Sequence, residues 1–285
     1  MRPSWLASLV VPAFVATICG CQDTRKLQEQ MAADLLTKVI PVAQEDAAQV
    51  RRGLPEGSKK LGEIVDTDPG ANLAALQRAI RTARASVKDL DVSKGTFFSF
   101  VDTTGIVLRS EADPDLLAQK SILVAFPPLK KGLEASSGVV EAWGEMQEIR
   151  GIRTGQDMQW VAGHPVKDKD GQVKGMFVTG WSFRRFALHL EEMAKRELVA
   201  AAEREKRKKV PIVYVFVVKD NHAYGAPVTP DVNAKAVEQM DLVQKTQAGA
   251  YRSTIEITGR SYAVAAERVV ELGEGTVLSA ILSEI

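Results

Sequence analysis

Two cysteines, three histidines and a 6% share of aromatic residues are all that this 285-residue chain offers of the side chains that most often carry metal, redox or stacking chemistry. Both cysteines, Cys19 and Cys21, fall near the amino terminus, so no disulfide framework spans the chain and stability must come from a packed core. His164, His189 and His222 are too few and too scattered for a metal site. There is no Gly-x-Ser-x-Gly elbow, Walker loop or His-Glu-x-x-His helix, so the sequence names no catalytic residue, metal ligand or cofactor site. Asp168 and Asp170 are a carboxylate pair, but in Asp168-Lys169-Asp170-Gly171 they have a simpler role as turn formers. Charge of one sign is also missing: 37 basic and 36 acidic residues leave a net +1, which excludes the long basic excess that marks a nucleic-acid binder. The remaining balance, 45% hydrophobic and 26% charged, is that of a globular protein with room for one large domain or two smaller ones.

What is present begins with Met1-Arg2 and an uncharged stretch from Pro3 to Gly20. One basic residue, an apolar run and small residues at its end have the layout of a secretory signal, which is removed and takes no part in the fold. An uncleaved membrane anchor is the alternative, but the run only just reaches the roughly 18 to 20 residues a spanning helix needs. Ile18-Cys19-Gly20-Cys21 resembles the lipobox of bacterial lipoproteins. The resemblance implies cleavage before Cys21, acylation of that cysteine (thioether-linked lipid and palmitate) and tethering to a lipid bilayer. Gln22, where lipoprotein sorting reads aspartate as an inner-membrane signal, implies the periplasmic side of the outer membrane.

Beyond Cys21 the pattern divides the chain. Residues 21–92 hold the tether and two amphipathic helices. The first carries Leu27, Met31, Leu35, Val39 and Val42, with a kink or stop near Ile40 ahead of Pro41 and a loop over Arg52 to Ser58. The second opens at Asp68-Pro69 with the stripe Leu73, Leu76, Ile80, Val87 and Leu90. Residues 93–182 read as two strands around Asp102-Thr103-Thr104-Gly105, a helical crossing from Leu116 to Leu133, then strands at Val139–Trp143, Asp157–Val166 and Gln172–Trp181. Residues 183–209 read as a long exposed helix with i,i+4 pairs such as Glu191 and Lys195, ending in the basic cluster Arg204 to Lys209. That cluster reads foremost as a solvated helix end, with anionic lipid or a partner as alternatives. Residues 210–285 repeat the strand, strand, helix, three-strand order, which suggests an internal duplication.

Two such copies behind long helices resemble a double Cache protein, a PAS-like extracytoplasmic sensor. The most specific match is the hairpin Gly163-His164-Pro165-Val166-Lys167-Asp168-Lys169-Asp170-Gly171-Gln172-Val173-Lys174-Gly175, followed by the opening hairpin Phe100 to Leu108. The second copy matches less well, since Lys219-Asp220-Asn221-His222 lacks the glycine. The expected fold class is therefore α+β: amino-terminal helices and two PAS/Cache-like antiparallel-sheet modules joined by a long helix. Cache modules usually precede a transmembrane helix and a cytoplasmic signalling domain, so a signal from this chain is expected to leave through an inner-membrane signalling protein. The resemblance also suggests pairing of two copies through the 183–209 helix.

Strand alternation puts Trp160, Ala162, His164, Phe177, Thr179 and Trp181 on one face of the sheet, with Val161, Pro165, Met176 and Val178 on the other. The smooth second face is expected to pack on the helices. In the family the ligand binds away from the long helix, which makes Arg109, Trp143, Trp160, His164 and Trp181 the candidate ligand-binding residues. The alternative is that the tryptophans are core and His164 is simply hydrogen-bonded. Two functional classes stay open: a sensory lipoprotein that captures a small organic ligand, or an envelope scaffold or assembly factor with filled modules. An enzyme is not expected.

Overall fold

A computed structural model of the chain describes residues 19–65, 68–134, 138–147 and 156–284, with side chains described from residue 24 except at residues 147 and 156. Residues 1–18, which hold most of the expected signal segment, lie outside this description. Its framework is α1 (Cys19–Ile64), an unbroken helix of 46 residues. Neither the stop near Ile40 nor the loop over residues 52–58 forms: Pro41 and Pro55 lie inside the helix. Each interior proline costs on the order of 3 kcal/mol. Burial of one continuous stripe, including Leu35, Val39, Ala43, Ala47, Val50, Leu54 and Leu61, outweighs that cost. The two glycines of the supposed loop are packing residues, because a Cβ at Gly53 or Gly57 would lie 2.7 or 2.5 Å from the Leu90 side chain.

α2 (Leu73–Ala85) and α3 (Lys88–Val92) lean on α1. The cap of α2 is Asn72, whose side chain accepts the Ala75 N–H, and not the expected Asp68. Asp68 instead holds the Gly70 N–H in a turn of its own. β1 (Phe97–Asp102) and β2 (Val107–Ser110) form the first hairpin. The Asp102 carboxylate closes its turn by accepting from the Thr104 and Ile106 amides, and Gly105 supplies the positive φ. The crossing is broken by Pro127 and Pro128 into α4 (Ile122–Ala125), a 3-10 turn and α5 (Lys130–Glu134). β3 (Val140–Gln147), β4 (Gln156–Lys167) and β5 (Val173–Ser182) complete a sheet of order β2-β1-β5-β4-β3.

α6 (Phe183–Arg204) leads to the second module. It is shorter than expected and only half exposed, since Phe186, Ala187, Leu190, Ala194 and Leu198 are buried between α1 and the second sheet. Glu191 and Lys195 pair at 2.7 Å, whereas residues 205–209 lie past the helix and have no i,i+4 geometry. β6 (Val213–Lys219), β7 (His222–Gly225), α7 (Asp231–Glu238), α8 (Leu242–Lys245), β8 (Tyr251–Ile257), β9 (Arg260–Arg268) and β10 (Val277–Ser283) follow. Their sheet order, β7-β6-β10-β9-β8, repeats that of the first module. α1 crosses both sheets, and one core runs from Ala32 through Trp160 and Val215 to Leu282. Among the described residues no helix is long and apolar enough to cross a membrane.

Candidate functional site

The register of the first sheet decides which candidate residues meet. A bulge between Val166 and Lys167 sets Val166 against Gly175, and from there Trp160 pairs with Trp181 and, on its other side, with Trp143. The three tryptophans therefore form a row across β3, β4 and β5. The rings of Trp160 and Trp181 have centroids 4.1 Å apart, and Phe186 of α6 stacks on Trp181 at 4.6 Å. Trp160 Nε1 donates to Glu141, and Glu141 also accepts two bonds from Arg51 of α1, at 2.6 and 2.8 Å. Arg51 sits 5.8 Å over the Trp160 ring and donates to the carbonyl of Glu271 in the second module. Trp143 Nε1 donates to the neighbouring Leu272 carbonyl. Held by Glu141, the Arg51 guanidinium is even harder to deprotonate than usual.

This row faces the opposite way from the expected ligand face. Trp160, Ala162, Phe177 and Trp181 belong to the core shared with α1 and α6, while Val161, Met176 and Val178 belong to a cluster under α4 and α5. Alternation sorted the residues correctly, but which face meets the helices is the reverse of the expectation. The reason is volume. The inner face fills the wide gap between sheet and helices with indoles. The outer face carries Gly144, where a Cβ would lie 2.2 Å from the Ala125 carbonyl, so α4 and the chain after it descend directly onto the strands. Trp160 and Trp181, each 1% exposed, are thus packed between layers.

Arg109 and His164 do not join the tryptophans. Arg109 lies on β2 opposite Phe100, 3.8 Å from the buried Asp115 carboxylate. Trp143 is on β3 at the far edge of the sheet, four strand spacings or about 19 Å away. His164 is four residues along β4 from Trp160; its Nδ1 lies 3.1 Å from the Pro165 carbonyl, and burial lowers its pKa. Ser58 of α1 donates to its backbone carbonyl.

The face away from α1 has a different character at each end. Its apolar half consists of Val101, Val161, Met176 and Val178 beneath Ile122, Phe126 and Leu129. Toward the start of α6 it turns polar: Asp157 and Gln159 continue the Val161 side of β4, and Ser182 lies opposite Gln159. All three are buried. Ser182 caps α6 by accepting the Arg185 N–H, and Arg184 Nε lies 3.8 Å from the Asp157 carboxylate. The Arg184 guanidinium sits over Tyr224 of β7. Burial, with the carboxylates of Glu145 and Asp157 facing it, pushes the Tyr224 phenol up to about 12. Chemically this corner sets a carboxylate, an amide and a hydroxyl together in a buried setting. The three histidines lie apart, and among the described residues there is no cluster of histidine, cysteine or acidic residues that fits a metal. Sequence reasoning missed Asp157 and Gln159, although their spacing was a signal: two polar residues on a face that is apolar further along the strand.

These two modules, each a five-stranded antiparallel sheet of the same strand order, strung along one long amino-terminal helix, make an α+β double Cache-like fold. Three solved structures carry the likeness. Methyl-accepting Chemotaxis protein X superposes with a TM-score of 0.55 at 10% identity, over 92% of this chain and 100% of its own. A domain of a sensory box/GGDEF family protein from Vibrio parahaemolyticus gives 0.54 at 13%, over 92% and 96%. An extracellular ligand binding receptor from Desulfohalobium retbaense gives 0.52 at 13%, over 89% of this chain and 40% of that one, so the chain spans less than half of that receptor. No protein-family model and no curated protein matches the sequence.

Proposed function

We propose that this chain is a sensory, ligand-binding lipoprotein, anchored through acylated Cys21 on the periplasmic face of the outer membrane and reporting to a separate inner-membrane protein. The observation that carries the reading is the fold, which the chain has in common with domains described as a ligand binding receptor and a chemotaxis protein. The lipobox at Ile18 to Cys21 supplies the anchor. If the ligand sits on the sheet face away from the long helix, as the resemblance implies, it meets Gln159, Ser182 and Asp157 and not the tryptophans.

One observation favours a second reading, an envelope scaffold that binds no small molecule. Phe126, Leu129 and Ile122 already cover the apolar half of that same face. A thermal-shift screen of the chain against amino acids, carboxylates, purines and polyamines separates the two. Binding to the folded state alone stabilises it by RT ln(1 + [L]/Kd), about 2.7 kcal/mol at a hundredfold excess over Kd. A shift with one class of compound that is lost in Gln159→Leu supports the sensor. No shift with any class supports the scaffold.

A further inference from the structure

The basic cluster after α6 and the acyl-bearing end of α1 are far apart in sequence but lie at the same end of the molecule. α6 runs antiparallel to α1: His189 Nε2 meets Asp46 at 3.1 Å, and further along Lys38 meets Glu197 at 2.8 Å. Beyond that pair α1 continues to Cys21, about 25 Å further at helical rise, while α6 and the cap that follows bring Lys206 about 13 Å in the same direction. The cluster thus lies within about 15 Å, along the α1 axis, of the cysteine. Arg204, Lys206, Lys208 and Lys209 are exposed, as are Arg25 and Lys26 on α1. Apolar side chains sit among them without cover: Leu27 is 62% exposed, and Val210 and Ile212 are 43% exposed each. The acidic residues at this end are Asp23 and Glu29 of α1 with Glu203, Glu205, Glu256 and Glu284; Glu205 is paired with Arg207 at 2.8 Å, and Glu29 accepts a hydrogen bond from Thr254. The remaining cations outnumber the free carboxylates.

We propose that this end of the molecule, the segment Arg204 to Ile212 together with Arg25, Lys26 and Leu27, is a membrane-contact surface for anionic phospholipid headgroups. Charge complementarity names the occupant, and the mixture of lysines with exposed aliphatic residues is what a headgroup boundary accommodates. The proposal rests on the anchored-lipoprotein reading for its geometry. Acylation at Cys21 holds the cluster near the distance over which salt screens surface charge, roughly 8–10 Å. An acyl chain alone fixes a point. The second contact fixes the orientation: the second module lies next to the bilayer, as the bonds from Arg252 and Thr254 to Gln30 and Glu29 of α1 require, and the first module is held away from it.

The test is hydrogen exchange on the full acylated chain reconstituted in vesicles of phosphatidylcholine alone, or of phosphatidylcholine mixed with phosphatidylglycerol. Vesicle flotation is recorded in parallel. Amides from 204 to 212 should exchange severalfold more slowly on the anionic vesicles, and the protection should vanish at high salt and in the triple variant Lys206→Glu/Lys208→Glu/Lys209→Glu. First-module amides, which report folding of the variant, should be unchanged. Exchange of 204–212 that is equal on both lipid mixtures overturns the contact surface, even where the protein floats. Failure to float on neutral vesicles overturns the acyl anchor instead, and protection specific to the anionic vesicles would then still support the basic surface.

Discussion

The two faces of the first sheet were built to different rules. Facing α1 and α6 is a row of three tryptophans with Phe98, Phe100 and Phe177, tied down by Arg51 and Glu141. Facing outward is a surface of small and medium side chains, where Gly144 and Gly163 let the covering layer and Met176 come close and where Gln159 and Asp157 turn one corner polar. Bulk therefore marks the structural face and smallness the candidate binding face, the reverse of what aromatic content suggests. A tryptophan at 1% exposure is an adhesive between layers, and its hydrogen bond to Glu141 orients it without opening it to a ligand.

The sharpest way to break this contrast is Trp160→Ala. If the indole is core, its loss destabilises the fold by about 3–5 kcal/mol, read by denaturant titration, and any ligand response disappears only together with the fold. A stable variant that had lost ligand binding alone would return Trp160 to the binding site. On the outer face, Gly144→Ala forces a Cβ against the Ala125 carbonyl and the Phe126 ring, and should cost about 1–3 kcal/mol by lifting the covering layer; an unchanged melting temperature would mean that this layer is not seated on the sheet. The smallest effect concerns His164, whose pKa in the fold lies below its ordinary value of about 6.5 because burial disfavours the imidazolium. With the folded pKa depressed, the unfolded chain takes up the proton first. His164 thus lowers stability as pH falls from about 6.5 toward the folded pKa, with no further loss below it. His164→Gln should flatten that part of the melting-temperature profile, and an unaltered slope would assign it to other groups.

Much of the fold was legible. The strand positions of the first module, apart from β3, which runs on to Gln147 past its expected end at Trp143, the repeated order and the two Asp-initiated turns follow from alternation and turn chemistry that act over a few residues. The elements that were misread are those where distant packing overrides local preference. Pro41 and Pro55 argue for breaks, yet α1 runs through them because two sheets and α6 bury its stripe. The i,i+4 charges of residues 183–209 argue for an exposed helix, yet Phe186, Leu190 and Leu198 are consumed by α1 and the second sheet.

By itself the sequence determined the repeated order of elements and which side chains share a face of the first sheet. Each of these depends on residues within one short segment, or on the two-residue period of a strand. Only the tertiary structure decided which face the helices cover, that Arg109 and Trp143 stand at opposite edges, that Arg51 ties the first module to the second, and that the cations after α6 lie toward the amino-terminal end of α1. Those facts depend on helix direction and on the volume between layers, and no local pattern along the chain encodes either quantity.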